Sequence, residues 1–403
     1  MFQMNQTYPH SGRAHLHMTH KTIIAQTDAN ENKNVEEVSE IPEYQRKRSE
    51  RYALRTVATK ILPKSKVCNC HKIPIAGYVE VRSHNESKKA FFTGLSRCGL
   101  LWVCPVCAPI IAERRSKELL IAMKNAEVLG YRIGMLTLTF SHKFGDDLGG
   151  SLRGIKRAWA KMIEGRAYKT LAKRIGLVGH VRALETTYNL NGFHPHFHVL
   201  MFDDGTVSHE EIEEALYPMW LSACKRAGIG LPHREHGIKL QNGEKANQYV
   251  TWGLQSELAK GHLKKSRGAG KSPFDLLRDV LETGNETSAN LFRIYARELK
   301  GSRQLVWSTG LRAKLGLDVE ERTDEELVAE EDIQNSTVVA VFSTLEWRAI
   351  RYYDLQAEIL NIAENNPWVI RSFVNFFAEK YLKKFPPKSF DRKYDLMCES
   401  TAA

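Results

Sequence analysis

Apolar and polar residues alternate in several stretches of the middle of the chain, and such alternation predicts β-strands. Residues 131–140 combine this alternation with β-branched side chains. Two further apolar runs, 180–188 and 195–202, flank an Asn-Gly pair at 191–192. Because Asn-Gly between two such runs is a strong hairpin signal, we expect these strands to pair antiparallel. Residues 237–241 predict a shorter fourth strand.

Apolar residues at helical spacing separate these strands. Residues 151–174 form one such stretch, and the sequence of 208–211 resembles a capping box at the start of another. A helix is predicted over 244–258, and a further one begins with a serine cap and a proline at 272–273. The order strand, helix, strand, strand, helix, strand, helix predicts an α+β fold with helices packed on an antiparallel sheet.

The pattern divides the chain into four parts. Residues 1–45 are polar and aperiodic, which predicts a disordered tail. Residues 46–125 hold a cysteine-rich stretch and are expected to form a zinc-binding unit, followed by the α+β domain over 126–317. Residues 318–403 begin with an acidic segment and continue with helical periodicity, so we expect a separate C-terminal helical region.

Charge adds a preference for a polyanionic partner. The 403 residues include 58 Lys and Arg against 47 Asp and Glu, a formal net charge of +11. This excess favours DNA as a partner, although charge alone also fits proteins that bind no acidic molecule.

No apolar stretch reaches the length of a membrane-spanning helix, so we expect a cytoplasmic protein without a membrane partner. Nothing in the pattern predicts an oligomeric state.

Five of the seven cysteines lie within forty residues of one another. In a reducing compartment, such local clustering favours metal ligation over disulfides. The spacing resembles two ligand pairs of a zinc ribbon, and it predicts structural Zn²⁺. His71 competes with the cysteines, so the sequence leaves open which four residues bind, and small buried cysteines are the alternative. The candidate ligands are Cys68, Cys70, Cys98, Cys104 and Cys107.

Alternating histidines predict a second metal site. His194, His196 and His198 share one face of a strand, since side chains alternate with period two. If Asn191-Gly192 forms the turn, paired residues sum to 383, and Glu185 lies opposite His198. Two imidazoles and a carboxylate suit a divalent cation, Mg²⁺ or Mn²⁺, that also binds a phosphate oxygen. The alternative is a histidine-rich strand that is simply buried.

A metal that polarises a phosphodiester still requires an attacking group. The predicted helix over 244–258 offers Tyr249, whose phenolate would form a phosphotyrosine bond. Lys245 lies one turn earlier on the same helical face and would favour the phenolate. With 14 tyrosines in the chain, an ordinary core tyrosine is the alternative.

Three motifs together resemble those of the HUH endonucleases, and most closely the plasmid rolling-circle replication initiators. The likeness spans residues 65–320, and the alternating histidines are its most specific part. The matching motifs lie at 136–139, 193–199 and 249–253, two further stretches at 271–277 and 300–311 also look like the family, and the final helices show a weaker likeness.

The resemblance implies an HUH-like sheet and an origin-nicking activity. In that family a tyrosine cuts one strand, remains on the 5′ phosphate and leaves a 3′ hydroxyl that a host polymerase extends. Carried over by position, His196 and His198 become metal ligands, Glu185 their third partner and Tyr249 the nucleophile. Host helicase and single-strand-binding protein are partners implied by the resemblance alone.

Other expected features are less well matched. Family members often carry a lysine in the turn after the tyrosine, which here leaves Lys245 or Lys260 as substitutes. The residue that ends a replication round would be Glu257 or Glu244. A basic loop after the predicted tyrosine helix is a candidate for DNA phosphate contacts. Its cations are Lys264, Lys265, Arg267 and Lys271.

Three other functions remain open at this stage. An insertion-element transposase would use the same metal and tyrosine chemistry. A non-catalytic, zinc-dependent DNA-binding protein would account for the cysteines and the charge but not for the histidine strand. A hydrolase of small phosphoesters would use water as its nucleophile and make Tyr249 dispensable.

Overall fold

The computed structural model describes residues 41–243, 270–318, 320–329 and 333–386. From Glu43 onward the described residues belong to one compact unit. The predicted tail of residues 1–45 lies mostly outside the described ranges, but its last three residues begin the first helix. Gln45 is buried in this helix, and its side-chain nitrogen donates to the Asn365 side-chain oxygen at 3.3 Å.

Helices and strands alternate along the described chain. The helices are α1 Glu43–Ile61, α2 Cys107–Val128, α3 Leu148–Glu164, α4 Arg166–Arg174, α5 His209–Ala227, α6 Pro273–Thr283, α7 Glu286–Glu298, α8 Leu311–Lys314, α9 Asp324–Ala329, α10 Thr344–Tyr352, α11 Gln356–Asn365 and α12 Ile370–Lys384. The strands are β1 Tyr78–His84, β2 Ala90–Thr93, β3 Arg132–Leu138, β4 Gly179–Asn189, β5 Gly192–Asp203, β6 Ile238–Asn242, β7 Leu305–Trp307 and β8 Ser336–Ser343. The predicted α+β class is confirmed.

The larger of two antiparallel sheets has the strand order β6-β3-β5-β4-β7. All four strands that the hydrophobic pattern predicts are in it. Phe197 and Val199 face one side of the central strand β5, whereas Leu200 and Phe202 face the other, and all four are buried. Residues 199–202 of this strand form a continuous apolar run, as expected where a strand is covered on both faces.

Helices cover both faces of this sheet. On one face α3, α4 and α5 form the main core around Trp159 and Trp220. On the other face α2 and α8 pack a smaller apolar cluster that ends, on the central hairpin, at Ala183 and Leu200. Because side chains alternate, the next positions on that face are those of residues 185 and 198, and the apolar cover stops there. In the described ranges this apolar cluster stops short of that end of the sheet, which carries the candidate site.

The helix predicted over 151–174 is two helices. Gly165 has extended backbone angles, φ −65° and ψ 144°, so α3 ends and α4 begins at this residue. Two predicted helix starts are confirmed, whereas the helix predicted over 244–258, with Glu244, lies outside the described ranges. The Ser208 side chain accepts the Glu211 amide, and Ser272 forms a reciprocal capping box with Asp275 ahead of Pro273.

A second sheet, in the order β2-β1-β8, joins the cysteine-rich stretch to the C-terminal region. The prediction of a purely helical C-terminal region was therefore incomplete, since a strand precedes α10, α11 and α12. The segment Ser336–Ser343 is rich in β-branched residues, and its Phe342 is buried in an apolar core that also holds Trp347. The proposed boundaries at residues 125 and 317 stay predictions. Within the described ranges, no helix is both long enough and apolar enough to cross a membrane.

Candidate metal centres

The β4–β5 hairpin brings a carboxylate and two imidazoles together. Glu185 lies directly opposite His196, and His198 follows two residues later on the same face. One Glu185 carboxylate oxygen, Oε2, lies 3.2 Å from Nε2 of His196 and 3.1 Å from Nε2 of His198. We call these three residues the triad. His196 is buried, whereas Glu185 and His198 are partly accessible, so a ligand can reach the group.

The register of this hairpin differs from the prediction by two residues. Glu185 pairs with His196 and not with His198, because the two-residue loop is Leu190–Asn191 and Asn189 pairs with Gly192. Neither loop residue has a positive φ; Gly192 takes the left-handed conformation at φ +92° instead. A shift of two preserves the face of every side chain. The three predicted ligands therefore still converge.

Hydrogen bonds orient both imidazoles of the triad. Nδ1 of His196 donates to the His194 carbonyl at 3.2 Å, and Nδ1 of His198 shares a 3.1 Å hydrogen bond with the Thr137 hydroxyl. Both rings therefore present Nε2 to Glu185. Outer contacts of this kind set the tautomer and ring orientation of metal-binding histidines. Sequence reasoning missed Thr137, because its place beside His198 follows from the β3–β5 register and not from the local sequence.

Glu185 and His196 each stabilise the charged form of the other. Burial disfavours a charged Glu185, but the charges and hydrogen bonds of His196 and His198 outweigh it and hold the pKa of the carboxyl well below its usual value. Burial likewise opposes a charged His196, but Glu185 raises the pKa of that imidazole. A carboxylate that stays ionised supplies the negative charge that a divalent cation needs.

The triad fits a small divalent cation. Two donors held about 2.1 Å from one ion lie about 3.0 to 3.4 Å apart, and the Glu185–imidazole separations of 3.1 and 3.2 Å fall in this interval. Three ligands on one side of an ion leave coordination positions for phosphate oxygens and water. Two imidazole nitrogens and one carboxylate oxygen form a donor set that could hold a divalent metal ion.

His194 shares the face of the triad but has a different partner. Its Nδ1 lies 2.7 Å from Nε2 of His142, and Nδ1 of His142 donates to the Asn191 carbonyl at 3.0 Å. Burial, then the neighbouring His196 and His142, lowers the pKa of His194 to about 4. Local sequence gives little sign of His142, because it follows β3 in an irregular segment.

Four of the five candidate zinc ligands form a compact cluster. The Sγ atoms of Cys70, Cys98, Cys104 and Cys107 all lie within 4.8 Å of one another, and the four residues are buried. The thiol of Cys68 points away and donates to the Leu62 carbonyl at 3.2 Å. We call the four residues the cysteine cluster.

The cysteine cluster has the dimensions of a tetrahedral zinc centre. With Zn–S bonds of about 2.3 Å, the sulfurs of a tetrahedron lie about 3.8 Å apart. The Sγ atom of Cys107 lies 3.4 Å from that of Cys70 and 3.8 Å from that of Cys98, and the Cys104–Cys70 distance is 3.6 Å. Hydrogen bonds from Cys104, Cys70 and Cys98 lower the pKa of Cys107 well below its usual value, whereas burial raises the pKa of Cys104 well above its usual value. Thiolate is the form that binds metal.

His71, the competing zinc ligand, is buried beside the cluster but is not part of it. Its Nδ1 lies 3.4 Å from the Tyr52 hydroxyl. Burial, followed by the positive charge of Arg97, lowers the pKa of this imidazole to about 3. A neutral His71 therefore packs against the cysteine cluster.

Several predicted site residues lie outside the described ranges. They are Lys245, Tyr249, Glu257, Lys264, Lys265 and Arg267. Where the described chain resumes, an added Cβ on Gly270 would lie 2.8 Å from the Thr187 side chain, and Lys271 exchanges two backbone hydrogen bonds with Tyr188. Thr187 follows Glu185 on the triad face. The ammonium group of Lys271 lies 3.1 Å from Asp279 and is half exposed.

Comparison with known proteins identifies the family. Residues 96–354 match a family described as replication protein. "Protein rep" of Streptomyces lividans is 27% identical over 345 residues, which span 67% of this chain and 76% of that protein. "Neomycin resistance protein" of Streptomyces cyanogenus is 29% identical over 157 residues, 33% of this chain and 36% of that protein. No solved structure shows a significant match. Because the family match covers well over half of the 403 residues, the chain belongs to this family of replication proteins.

Proposed function

We propose that this protein initiates plasmid replication by nicking one DNA strand at an origin and leaving a 3′ hydroxyl as primer. The observation that carries the proposal is the triad, which lies on the larger sheet beyond the apolar cluster that ends at Ala183 and Leu200, in a chain of a replication-protein family. A binding protein without catalytic activity has no use for a partly accessible carboxylate held between two oriented imidazoles. The proposal includes an HUH-type arrangement of the sheet.

The residues of the triad would hold Mg²⁺ or Mn²⁺ through Nε2 of the two histidines and Oε2 of Glu185. A divalent cation bound there would withdraw charge from the scissile phosphate and stabilise the transition state. The hydrogen bonds of His194 and Thr137 keep the imidazoles aimed at that position. A preorganised site of this kind needs no rearrangement when DNA arrives.

Tyr249 is the proposed nucleophile. Its phenolate oxygen attacks phosphorus, a bond forms between that oxygen and the 5′ phosphate, and the bond to the 3′ oxygen breaks. The departing 3′ oxygen takes up a proton and becomes the primer hydroxyl. The phenol proton passes to solvent or to a base. Gly270, 21 residues after Tyr249, lies against Thr187 on the triad face, so the described chain resumes beside the triad.

The cysteine cluster is proposed to hold structural Zn²⁺. All four of its ligands are buried, and no described ligand position is left open to substrate. Lys264, Lys265, Arg267 and Lys271 are proposed phosphate contacts, and Lys245 and Glu257 are proposed auxiliaries of the tyrosine.

A labelled single-stranded oligonucleotide carrying the plasmid origin tests the proposal. The full chain is incubated with it and Mn²⁺, and denaturing gels should show a covalent protein–DNA adduct together with a product that has a free 3′ hydroxyl. Tyr249→Phe should abolish the adduct, whereas Tyr131→Phe, at the far end of β3, should not. Glu185→Gln should weaken Mn²⁺ binding and nicking together.

An adduct that persists in Tyr249→Phe would place the nucleophile elsewhere. Cleavage without any adduct would indicate water as the nucleophile and a hydrolase. The family match favours replication over transposition. Cleavage of insertion-element ends in preference to a plasmid origin would reverse that choice.

A further inference from the structure

Arg55 on α1 is a charged residue in an unusual position. Its side chain is completely buried, with 0% of its surface exposed. Nη1 donates to the Cys70 carbonyl at 3.1 Å, and the guanidinium lies over the Tyr52 ring, 4.9 Å from its centroid. Nε and Nη2 have no hydrogen-bond partner in the described part of the chain. A buried guanidinium with unfilled donors is strongly disfavoured unless a charge nearby compensates it.

No carboxylate in the described ranges forms an ion pair with Arg55. The groups that respond to its charge include two other cations, Lys72 and Arg351. Burial and then Arg55 itself lower the pKa of both. Tyr52 is no counter-anion either, because burial raises the pKa of its phenol to about 12. As described, Arg55 is a buried cation among cations, an arrangement that a folded protein rarely keeps.

The backbone contact of Arg55 points to the cysteine cluster as a source of negative charge. Cys70 connects the two features, because its carbonyl accepts from Arg55 while its Sγ belongs to the cluster. Four neutral thiols carry no charge, but a divalent metal held by four thiolates has a net charge of −2. Such a centre would lie within the same buried region as the guanidinium.

We infer that the cysteine cluster is a dianionic tetrathiolate metal centre and that Arg55 is its buried counter-cation. Arg55 is then a positioning residue: it binds the backbone of one ligand and lowers the electrostatic cost of collecting four thiolates. The inference rests on the proposed metal occupancy of the cluster. It does not depend on DNA nicking, so failure of the nicking assay leaves it intact.

Cobalt binding tests the inference, because tetrahedral Co²⁺–thiolate coordination has its own absorption bands. The metal-free full chain is titrated with Co²⁺ and then with Zn²⁺ against a competing chelator. Arg55→Met removes the charge with similar side-chain length and should weaken metal binding about 10- to 100-fold, the usual effect of losing an outer-shell partner. Arg55→Lys keeps the charge and should bind more tightly than Arg55→Met.

Arg48→Met is the matched control. Arg48 is also buried on α1, but it pairs with Glu364 and donates to Asn361 at 2.8 Å. Arg48→Met should reduce the free energy of unfolding, while the affinity of the chain for metal stays within about threefold of the wild type. If Arg55→Met does not fold, Arg55→Gln replaces it, since Gln keeps a donor but no charge. Wild-type affinity in the folded uncharged variant, or the absence of thiolate–Co²⁺ bands in the wild type, overturns the inference.

Discussion

At the scale of single residues, Thr137 governs the orientation of one triad imidazole. We expect Thr137→Val to weaken Mn²⁺ binding about 10- to 100-fold, because it removes the hydroxyl bonded to His198 at almost unchanged volume. Isothermal titration with Mn²⁺ measures the effect. Thr139→Val is the control, since the Thr139 hydroxyl bonds the His236 carbonyl and not a triad residue. Equal affinity in Thr137→Val and wild type would contradict the assigned role.

The predictability of the site differs from residue to residue. Glu185, His196 and His198 could be identified because a strand period of two and one turn place them on a common face. Thr137 could be placed only after the β3–β5 register was known. The choice of Cys70 over Cys68 depends on the direction of each side chain around a tight turn. Cysteine spacing does not encode that direction.

At the scale of elements, the left-handed Gly192 closes the hairpin that carries the triad. Gly192→Ala should destabilise the protein by about 1 to 2 kcal/mol, the cost of holding an L-residue in this conformation. Sterics contribute little, because the nearest atom to an added Cβ lies 3.6 Å away. Urea unfolding measures the change. Gly192→Asn should cost less, since asparagine tolerates positive φ, and a larger loss for Asn than for Ala would refute the explanation.

Strand β8 offers a second test at this scale. Phe342 is fully buried in the same apolar core as Trp347, so Phe342→Ala should lower the free energy of unfolding by about 3 to 5 kcal/mol. Val341 is the next residue, and 38% of its surface is exposed. Val341→Ala should change the free energy by less than about 1 kcal/mol. Similar losses for the two variants in chemical denaturation would exclude the described packing of β8.

The register of the hairpin and the pairing of β8 are two features that the local sequence does not determine. An Asn-Gly pair predicts a hairpin, but the residues that take a positive φ determine its register. In this hairpin Gly192 has a positive φ, whereas Asn191 does not. β8 lies just before the helical pattern of the C-terminal region, and no strand was predicted there from the sequence. Its partner β1 lies far away along the chain, and local periodicity carries no information about which distant strands pair.

At the scale of the whole molecule, the cysteine cluster lies in a core to which α1, α2, α6, α7 and α9 all contribute. Removal of the metal proposed for this cluster should therefore weaken the compact unit broadly. We expect Cys104→Ser to lose bound zinc and about 4 kcal/mol or more of stability, as losses of structural metal do. Cys68→Ser should retain zinc, because Cys68 donates to a backbone carbonyl instead. Elemental analysis and thermal unfolding of both variants check this, and zinc loss in Cys68→Ser would reject the assigned ligand set.

The β1–β8 pairing also has a consequence for biosynthesis. Nε of Arg82 donates to the Ser336 hydroxyl across this pair, and the two residues are 254 positions apart in sequence. During translation, one edge of β1 must therefore wait for its partner until most of the polypeptide has left the ribosome. An unpaired strand edge is a site for wrong association. Nascent chains that stall before residue 336 should thus depend on chaperones more than completed ones do.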